Sequence, residues 1–435
     1  MNQQSLVRLN LLITKYSTDK FIQKYDFRTI AKLYELSYLY IKADYCKILV
    51  AGTSGKGSTV GIISNILLKH YQTVGTSFSP HIREVSERFL VNFKEPMPEL
   101  IEKALEYLEL VLAKYSTENI KLKYNPPVKF EIYHIFSHLV FSLAKVKYVV
   151  YEVGIGGRLD PTNYIKSSYS VITEIGFDHQ DYLGDTLAEI ATEKFGVAIS
   201  TSPLISGTIN PEIRDYYQEL ALKNNIRLLQ LGRDFFVTKY KYNNGFTQFD
   251  YLDKGYELQK LKLNLVGEYQ TRNAAIAIKI FTIIAKDFNL KISTKKIRLA
   301  LRSIYIPARL EIRGKYKNII LNTAHNQQKV SAAVEFLKKR YKSAKFNLVY
   351  PATYRAQTLE IFKSLLELNI AKIYLVKEES KTTAKLVEYL NGLGFSNLEL
   401  INTIELEKKM PDFMEDKEQL YLLLGNAELI STAYN

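Results

Sequence analysis

One cysteine, Cys46, stands in 435 residues, so no intramolecular disulfide can form. Its place beside an apolar strand fits a small buried thiol and not a catalytic nucleophile. No apolar run approaches the roughly 18 residues needed to cross a bilayer, which excludes a membrane-spanning chain. The opening Met1-Asn2-Gln3-Gln4-Ser5 lacks the basic stretch and apolar stretch of a secretory leader, and the expectation is a cytoplasmic protein. Internal repeats are missing, as are linkers rich in Pro, Gly or Ser. No run of five or more basic residues occurs either, although the formal net charge is +14. Scattered lysines do not make a nucleic-acid interface, and the basic excess is read as a match for anionic small molecules.

What is present is an ordinary globular composition, 47% hydrophobic and 24% charged, on a chain too long for one core. Organisation comes from alternation. Residues 47–51 read as an apolar strand ending in a glycine-rich turn, and 58–71 carry apolar residues at helical spacing. A helix over 128–146, strands over 148–153 and 170–176, and a helix over 186–197 continue the pattern. Strands alternating with helices imply a mostly parallel sheet covered on both faces. Residues 235–265 differ, with alternating Tyr, Phe and Thr around Asn243-Asn244-Gly245, a hairpin signal. Helices follow at 273–288 and about 293–303, and Pro307 marks a boundary. Alternation then restarts, with strands near 319–324, 346–351, 372–376, 398–401 and 420–424. The expected fold is α/β. An N-terminal P-loop-type, mostly parallel sheet domain with a small antiparallel appendage spans 1–305, and a C-terminal Rossmann-like α/β domain spans 306–435.

The chemistry starts at Gly52-Thr53-Ser54-Gly55-Lys56-Gly57-Ser58-Thr59, between strand and helix, where free N–H groups and the helix dipole attract phosphate. Lys56 adds a positive charge for the terminal phosphates, and the hydroxyl of Ser58 or Thr59 suits Mg²⁺. The strict phosphate-loop pattern puts Gly at position 50 and Ser or Thr at 57; this chain has Val50 and Gly57. Ligands of α/β sheets gather outside the carboxyl ends of the strands, which adds Glu152 and His179 as groups facing the same phosphates.

Further along stand Ser79-Pro80-His81 with Glu87-Arg88, Phe130-Glu131, the stretch from Glu152-Val153-Gly154-Ile155-Gly156-Gly157-Arg158 to Leu159-Asp160-Pro161-Thr162-Asn163, and Asp178-His179 with Leu183-Gly184. In this order they resemble folylpolyglutamate synthase/dihydrofolate synthase, a branch of the Mur ligase superfamily. The resemblance implies an ATP-dependent ligase that adds L-glutamate to dihydropteroate or to the tail of a reduced folate through an acyl phosphate. It implies Mg²⁺ held by Ser58, Ser79, Glu152 and His179, with a monovalent cation as a further candidate. Lys194 matches a lysine that the family carbamylates. Thr53 to Thr59, Asn273, Arg309 and Asn322 match ATP contacts, and His325 a position poised for phosphate or glutamate. Arg88, Phe130, Glu131, Leu159 and Asp160 match positions around the pterin-containing substrate. A monomer is implied.

Several positions depart from the pattern. Tyr269 stands where His is usual, Ala308 where Gly is usual, and Asn322 where an Asp helps to hold ATP. Tyr354-Arg355-Ala356 replaces Asp-Lys-Asp, and Gly425-Asn426 replaces Gly-Ser. Asn322 still offers hydrogen bonds without a charge. These departures keep two rivals open, another Mur-type amino-acid ligase and a nucleotide-binding homologue without ligase activity.

Overall fold

Residues 1–18, 25–353, 357–377, 382–395 and 397–434 are described by the computed structural model. Seven strands, β1 (Cys46–Ala51), β2 (Val74–Ser77), β3 (Leu90–Val91), β4 (Tyr148–Glu152), β5 (Tyr169–Ile172), β6 (Leu204–Ser206) and β7 (Leu228–Gln230), form one sheet in the order β3-β2-β4-β1-β5-β6-β7. Every pairing is parallel except β2 with β3. Successive side chains of a strand face opposite ways, and β1 feeds two cores accordingly. Leu49 and Ala51 join Val149 and Tyr151 of β4 on one face, while Ile48 and Val50 join Tyr148 and Val150 on the other. The first face is covered by helices Gln3–Tyr16, Arg28–Ser37, Pro98–Leu122 and Lys129–Leu143. The second is covered by Lys56–Lys69, Glu268–Asp287 and Thr294–Ser303.

The antiparallel appendage is β8 (Phe235–Asn243), β9 (Phe246–Asp253) and β10 (Tyr256–Leu263). Its first turn has Asn244 and Gly245 at φ 50° and 78°, the pair of positive values that a two-residue hairpin turn demands. A six-stranded sheet follows, built from β11 (Arg309–Arg313), β12 (Ile319–Asn322), β13 (Phe346–Pro351), β14 (Ile370–Val376), β15 (Leu398–Ile401) and β16 (Leu420–Leu424). Its order is β11-β12-β16-β13-β14-β15, with only β11 antiparallel to its neighbour.

The expected α/β architecture is present, and its differences from the sequence reading have local causes. The strand expected over 170–176 ends at Ile172 because the chain leaves the sheet there, letting Glu174 O accept Thr53 N at 2.8 Å. The helix expected from 273 begins at Glu268, where Gly267 at φ 110° sets the entry. The strand β11 and the N-terminal helices drew no reading from the sequence. Cys46 is half-buried and free, with its thiol pushed up to about 11 by burial, in keeping with an inert role.

In this sheet β1 lies between β4 and β5, so the connections after these strands part on either side and leave a crevice at their carboxyl ends. The first core sets the position of that crevice. Phe136 is fully buried with its ring edge-on to Phe89 at 4.9 Å. Phe136→Ala is expected to cost about 3–5 kcal/mol, read as a lowered denaturant midpoint for the N-terminal half.

Candidate functional site

The phosphate loop follows β1, and its glycines have steric reasons. Gly55 sits at φ 93°, and a Cβ there would lie 2.4 Å from Asn273 Oδ1. Gly57 is close to charged groups: a Cβ would stand 3.1 Å from Glu152 Oε2 and 3.2 Å from Arg309 Nη2. The side chain that the strict pattern puts here would need that carboxylate and guanidinium to give by a few tenths of an ångström. Lys56 opens the Lys56–Lys69 helix and its Nζ donates to Gly52 O at 3.1 Å. The first N–H groups of that helix have no partner within it and point at the crevice. Thr53 Oγ1 donates to Gly176 O at 2.9 Å, tying the loop to the segment after β5. Ser58 and Thr59 are buried, and Thr59 Oγ1 has no hydrogen-bond partner.

Glu152, the last residue of β4, is buried and accepts Ser79 N at 3.0 Å. Burial raises its carboxyl above the usual range, and Lys56, the Ser79 N–H and Arg309 oppose that rise. Arg309 comes from β11 and donates through Nη1 to Thr323 Oγ1, so a residue of the six-stranded sheet reaches the phosphate loop of the first. Other side chains make the same crossing. Ser54 Oγ donates to Gln328 Oε1 at 2.7 Å, Asn326 Nδ2 to Asp178 Oδ2 at 2.9 Å, and Gln357 Nε2 to Phe177 O at 2.8 Å.

Asp178 faces Lys329 Nζ, 3.8 Å from Oδ2, and two imidazoles, His325 Nε2 3.9 Å from Oδ2 and His179 Nε2 3.9 Å from Oδ1. Burial works to raise its carboxyl, but Lys329, first among its neighbours, holds it below the usual range. Lys194 is 3% exposed, and burial, then Lys56, draws its amine down to about 7. Burial, with Lys56 and Arg309, does the same to Lys329. His179 is lowered by burial against the pull of Asp178. The crevice therefore gathers several basic side chains around few carboxylates.

Side chains expected around an organic substrate take several positions. The Phe130 ring lies under Gly154, where a Cβ would meet Cζ at 3.0 Å, and Leu159 is half-buried in the same loop. Asp160 Oδ2 accepts Gly154 N and Ile155 N at 3.0 and 3.2 Å, and Oδ1 accepts Thr162 N at 2.9 Å; its carboxylate shapes the loop. Arg88 Nε donates to His81 Nδ1 at 2.9 Å, and its guanidinium lies 4.6 Å over Tyr133. Glu131 is turned inward, capping its own helix through Val128 N at 2.9 Å and accepting the Tyr25 hydroxyl at 2.7 Å. Asn273 Nδ2 donates to Gln270 Oε1 at 3.0 Å beside the phosphate loop. Asn322 ends β12 next to Arg309, and Asn426 caps the helix Ala427–Ser431. The replacement at Tyr354-Arg355-Ala356 lies outside the described residues. Lys329, Gln328 and Tyr25 were not singled out by sequence; a lysine in the first turn of a polar helix carries no mark distinguishing it from a solvated one.

Mg²⁺ fits this crevice by the chemistry of its donors. Among the described residues no three His, Cys, Asp or Glu side chains gather for a metal. A buried carboxylate, hydroxyls and bound phosphates are the set that Mg²⁺ takes, since it uses one or two carboxylates and leaves other positions to phosphate and water. Glu152, buried next to the phosphate loop at Gly57, supplies that start.

Glu131 gives a pH test. Burial raises its carboxyl from 4.5 to about 7, against the opposing Tyr25 hydroxyl and Val128 N–H. The folded chain thus holds a proton that the unfolded chain has released. The stabilisation is full below pH 4.5 and is lost as pH rises to about 7. Glu131→Gln is expected to flatten the fall in melting temperature across that window; equal slopes in both proteins would count against the assignment.

Residues 50–281 match the family described as Mur ligase middle domain, more than half of the chain. The folylpolyglutamate synthase of Lacticaseibacillus casei is 32% identical over 295 residues, 68% of each chain. The dihydrofolate synthase/folylpolyglutamate synthase of Bacillus subtilis (strain 168) is 31% identical over 308 residues, 70% of each. Among solved structures, an FPGS–AMPPCP complex superposes with a TM-score of 0.81 at 25% identity, covering 99% of this chain and 98% of that one. The folylpolyglutamate synthase of Thermotoga maritima gives 0.79 at 25% identity, covering 99% and 96%. With a matching middle domain, relatives at this identity and a shared fold over its length, the chain belongs to the folylpolyglutamate synthase/dihydrofolate synthase family of Mur ligases.

Proposed function

We propose that this protein is an ATP-dependent ligase that joins L-glutamate to dihydropteroate, to the glutamate tail of reduced folates, or to both. The observation that carries the proposal is the approach of Arg309 and Glu152 to the backbone of Gly57, which unites a phosphate loop, a buried carboxylate and a cation from the other sheet. Residues 1–305 serve in this reading as the ATP-binding unit and 306–435 as the glutamate-ligase unit. Support comes from the relatives named folylpolyglutamate synthase and dihydrofolate synthase/folylpolyglutamate synthase. No helix among the described residues is long and apolar enough to cross a membrane, and the partners proposed are small molecules.

The chemistry needs no covalent enzyme intermediate. A carboxylate oxygen of the pterin substrate attacks the terminal phosphorus of ATP, and ADP leaves. The glutamate amine then attacks the acyl phosphate, phosphate leaves, and an amide forms. The loop from Thr53 to Thr59 holds the phosphates on its N–H groups, with Lys56 and Arg309 stabilising the charge that moves in transfer. Asn273 and Asn322 flank the nucleoside. Ser58, Ser79, Glu152 and His179 would hold Mg²⁺, which would neutralise phosphate charge. Phe130, Leu159 and Asp160 shape the wall for the pterin end, with Arg88 beside it, and His325 completes the phosphate-facing end of the second sheet. The crossing contacts between the sheets exclude water, which would hydrolyse the acyl phosphate.

Lys194 has the position for a carbamate. An amine drawn down to about 7 is substantially neutral at physiological pH, so its lone pair can add to CO₂ with loss of one proton, giving an anion among cations. Purified protein with ATP, Mg²⁺, glutamate and either dihydropteroate or tetrahydrofolate is expected to release ADP above a glutamate-free control; no excess with either acceptor would overturn the ligase proposal. Lys194→Ala is expected to lower turnover by about a hundredfold or more, with partial rescue by short carboxylates. A ¹³C carbamate resonance from labelled bicarbonate, missing in Lys194→Ala, is the matching spectroscopic result.

A further inference from the structure

We propose that Lys329 is a phosphate-binding cation brought to the crevice by the second sheet, and that His325 acts by positioning it. The identity of the anion as a nucleotide phosphate rests on the ligase reading above; the placement of the ammonium does not. Lys329 lies in the first turn of the Gln327–Arg340 helix, whose cap is Asn326. Asn326 Oδ1 accepts Lys329 N at 3.0 Å while its Nδ2 donates to Asp178, so the backbone at Lys329 is fixed against the segment after β5.

The hydrogen bonds of His325 settle which group meets a ligand. Its Nδ1 is 2.9 Å from Thr323 O, a carbonyl that can only accept, so Nδ1 carries the ring proton. Nε2 is then the lone-pair nitrogen and accepts from Lys329 Nζ at 3.1 Å. Neither ring nitrogen is left over for substrate. The ammonium has three donors: one goes to His325, and one points towards Asp178 at 3.8 Å, too long for a hydrogen bond. Asp178 Oδ2 already accepts from Asn326, so it does not saturate the lysine. Lys56 and Arg309, which face the phosphate loop, both act on Lys329, as does Glu152. Three basic groups, Lys56, Lys329 and Arg309, thus converge on Glu152 and Asp178, beside an Asp160 whose oxygens already accept three N–H groups of its own loop. Such an excess calls for a polyanion, and Lys329 has a donor to offer it.

Calorimetric titration of the full chain with Mg²⁺ATP, with inorganic tripolyphosphate and with adenosine tests this. In Lys329→Met, affinity for ATP and for tripolyphosphate is expected to fall at least about tenfold, with adenosine unchanged, as for loss of one charged hydrogen bond. Lys329→Arg is expected to restore most of the loss. His325→Ala is expected to weaken tripolyphosphate binding in the wild-type background and to add nothing in Lys329→Met, a non-additivity that a purely structural histidine would not produce. Wild-type tripolyphosphate affinity in Lys329→Met, or equal losses for ATP and adenosine, would overturn the assignment and leave the ligase reading standing. Should Lys329→Met not fold, Lys329→Gln takes its place under the same criteria. A wild-type chain that binds neither ATP nor tripolyphosphate would instead overturn the nucleotide reading itself.

Discussion

Charge buried without enough counter-charge is the constraint around which the rest of this molecule is arranged. Taking an ammonium or a carboxylate out of water costs several kcal/mol in a protein, even after relaxation, unless partners compensate. Here Lys194 and Lys329 are pressed together with Lys56 and Arg309, and the cost shows as amines drawn down to about 7. The large apolar cores on both faces of the first sheet supply the stability that lets the crevice stay electrostatically unsatisfied. On the proposed function, a nucleotide phosphate bound here would relieve this repulsion.

The same constraint explains why glycine stands at position 57. In a common phosphate loop the residue after the lysine is Ser or Thr; here Glu152 and Arg309 stand so near that a side chain would have to displace them slightly. The loop gives up a hydroxyl at that point and gains direct approach of a carboxylate and a cation, one from each sheet. A departure from a motif thus marks a place where tertiary contacts have taken over part of its work.

Much of this was legible in the sequence because it is local. The strand, glycine loop and helix around residues 46–69 announce themselves by period and composition, and the hairpin at Asn244-Gly245 by the backbone it requires. Glu152 and His179 were legible from their places after apolar strands. Lys194 was legible only through resemblance, since a lysine near a helix end otherwise reads as solvated. Lys329 was not legible at all: its half-buried place depends on a helix from one sheet meeting a loop from the other, and no local spacing encodes that meeting. Glu131 is the reverse case, a motif residue whose carboxylate the fold directs to its own helix end and to Tyr25.

The contacts that join the two halves differ in kind from the groups that face the phosphates. Ser54 with Gln328, Asn326 with Asp178, and Gln357 with the carbonyl of Phe177 are hydroxyl and amide bonds, and only one of them involves a charge. Dissolved ions weaken attraction between charges over about 10 Å at 0.1 M and leave short neutral hydrogen bonds almost untouched. The joint between the halves therefore keeps its geometry as ionic strength rises.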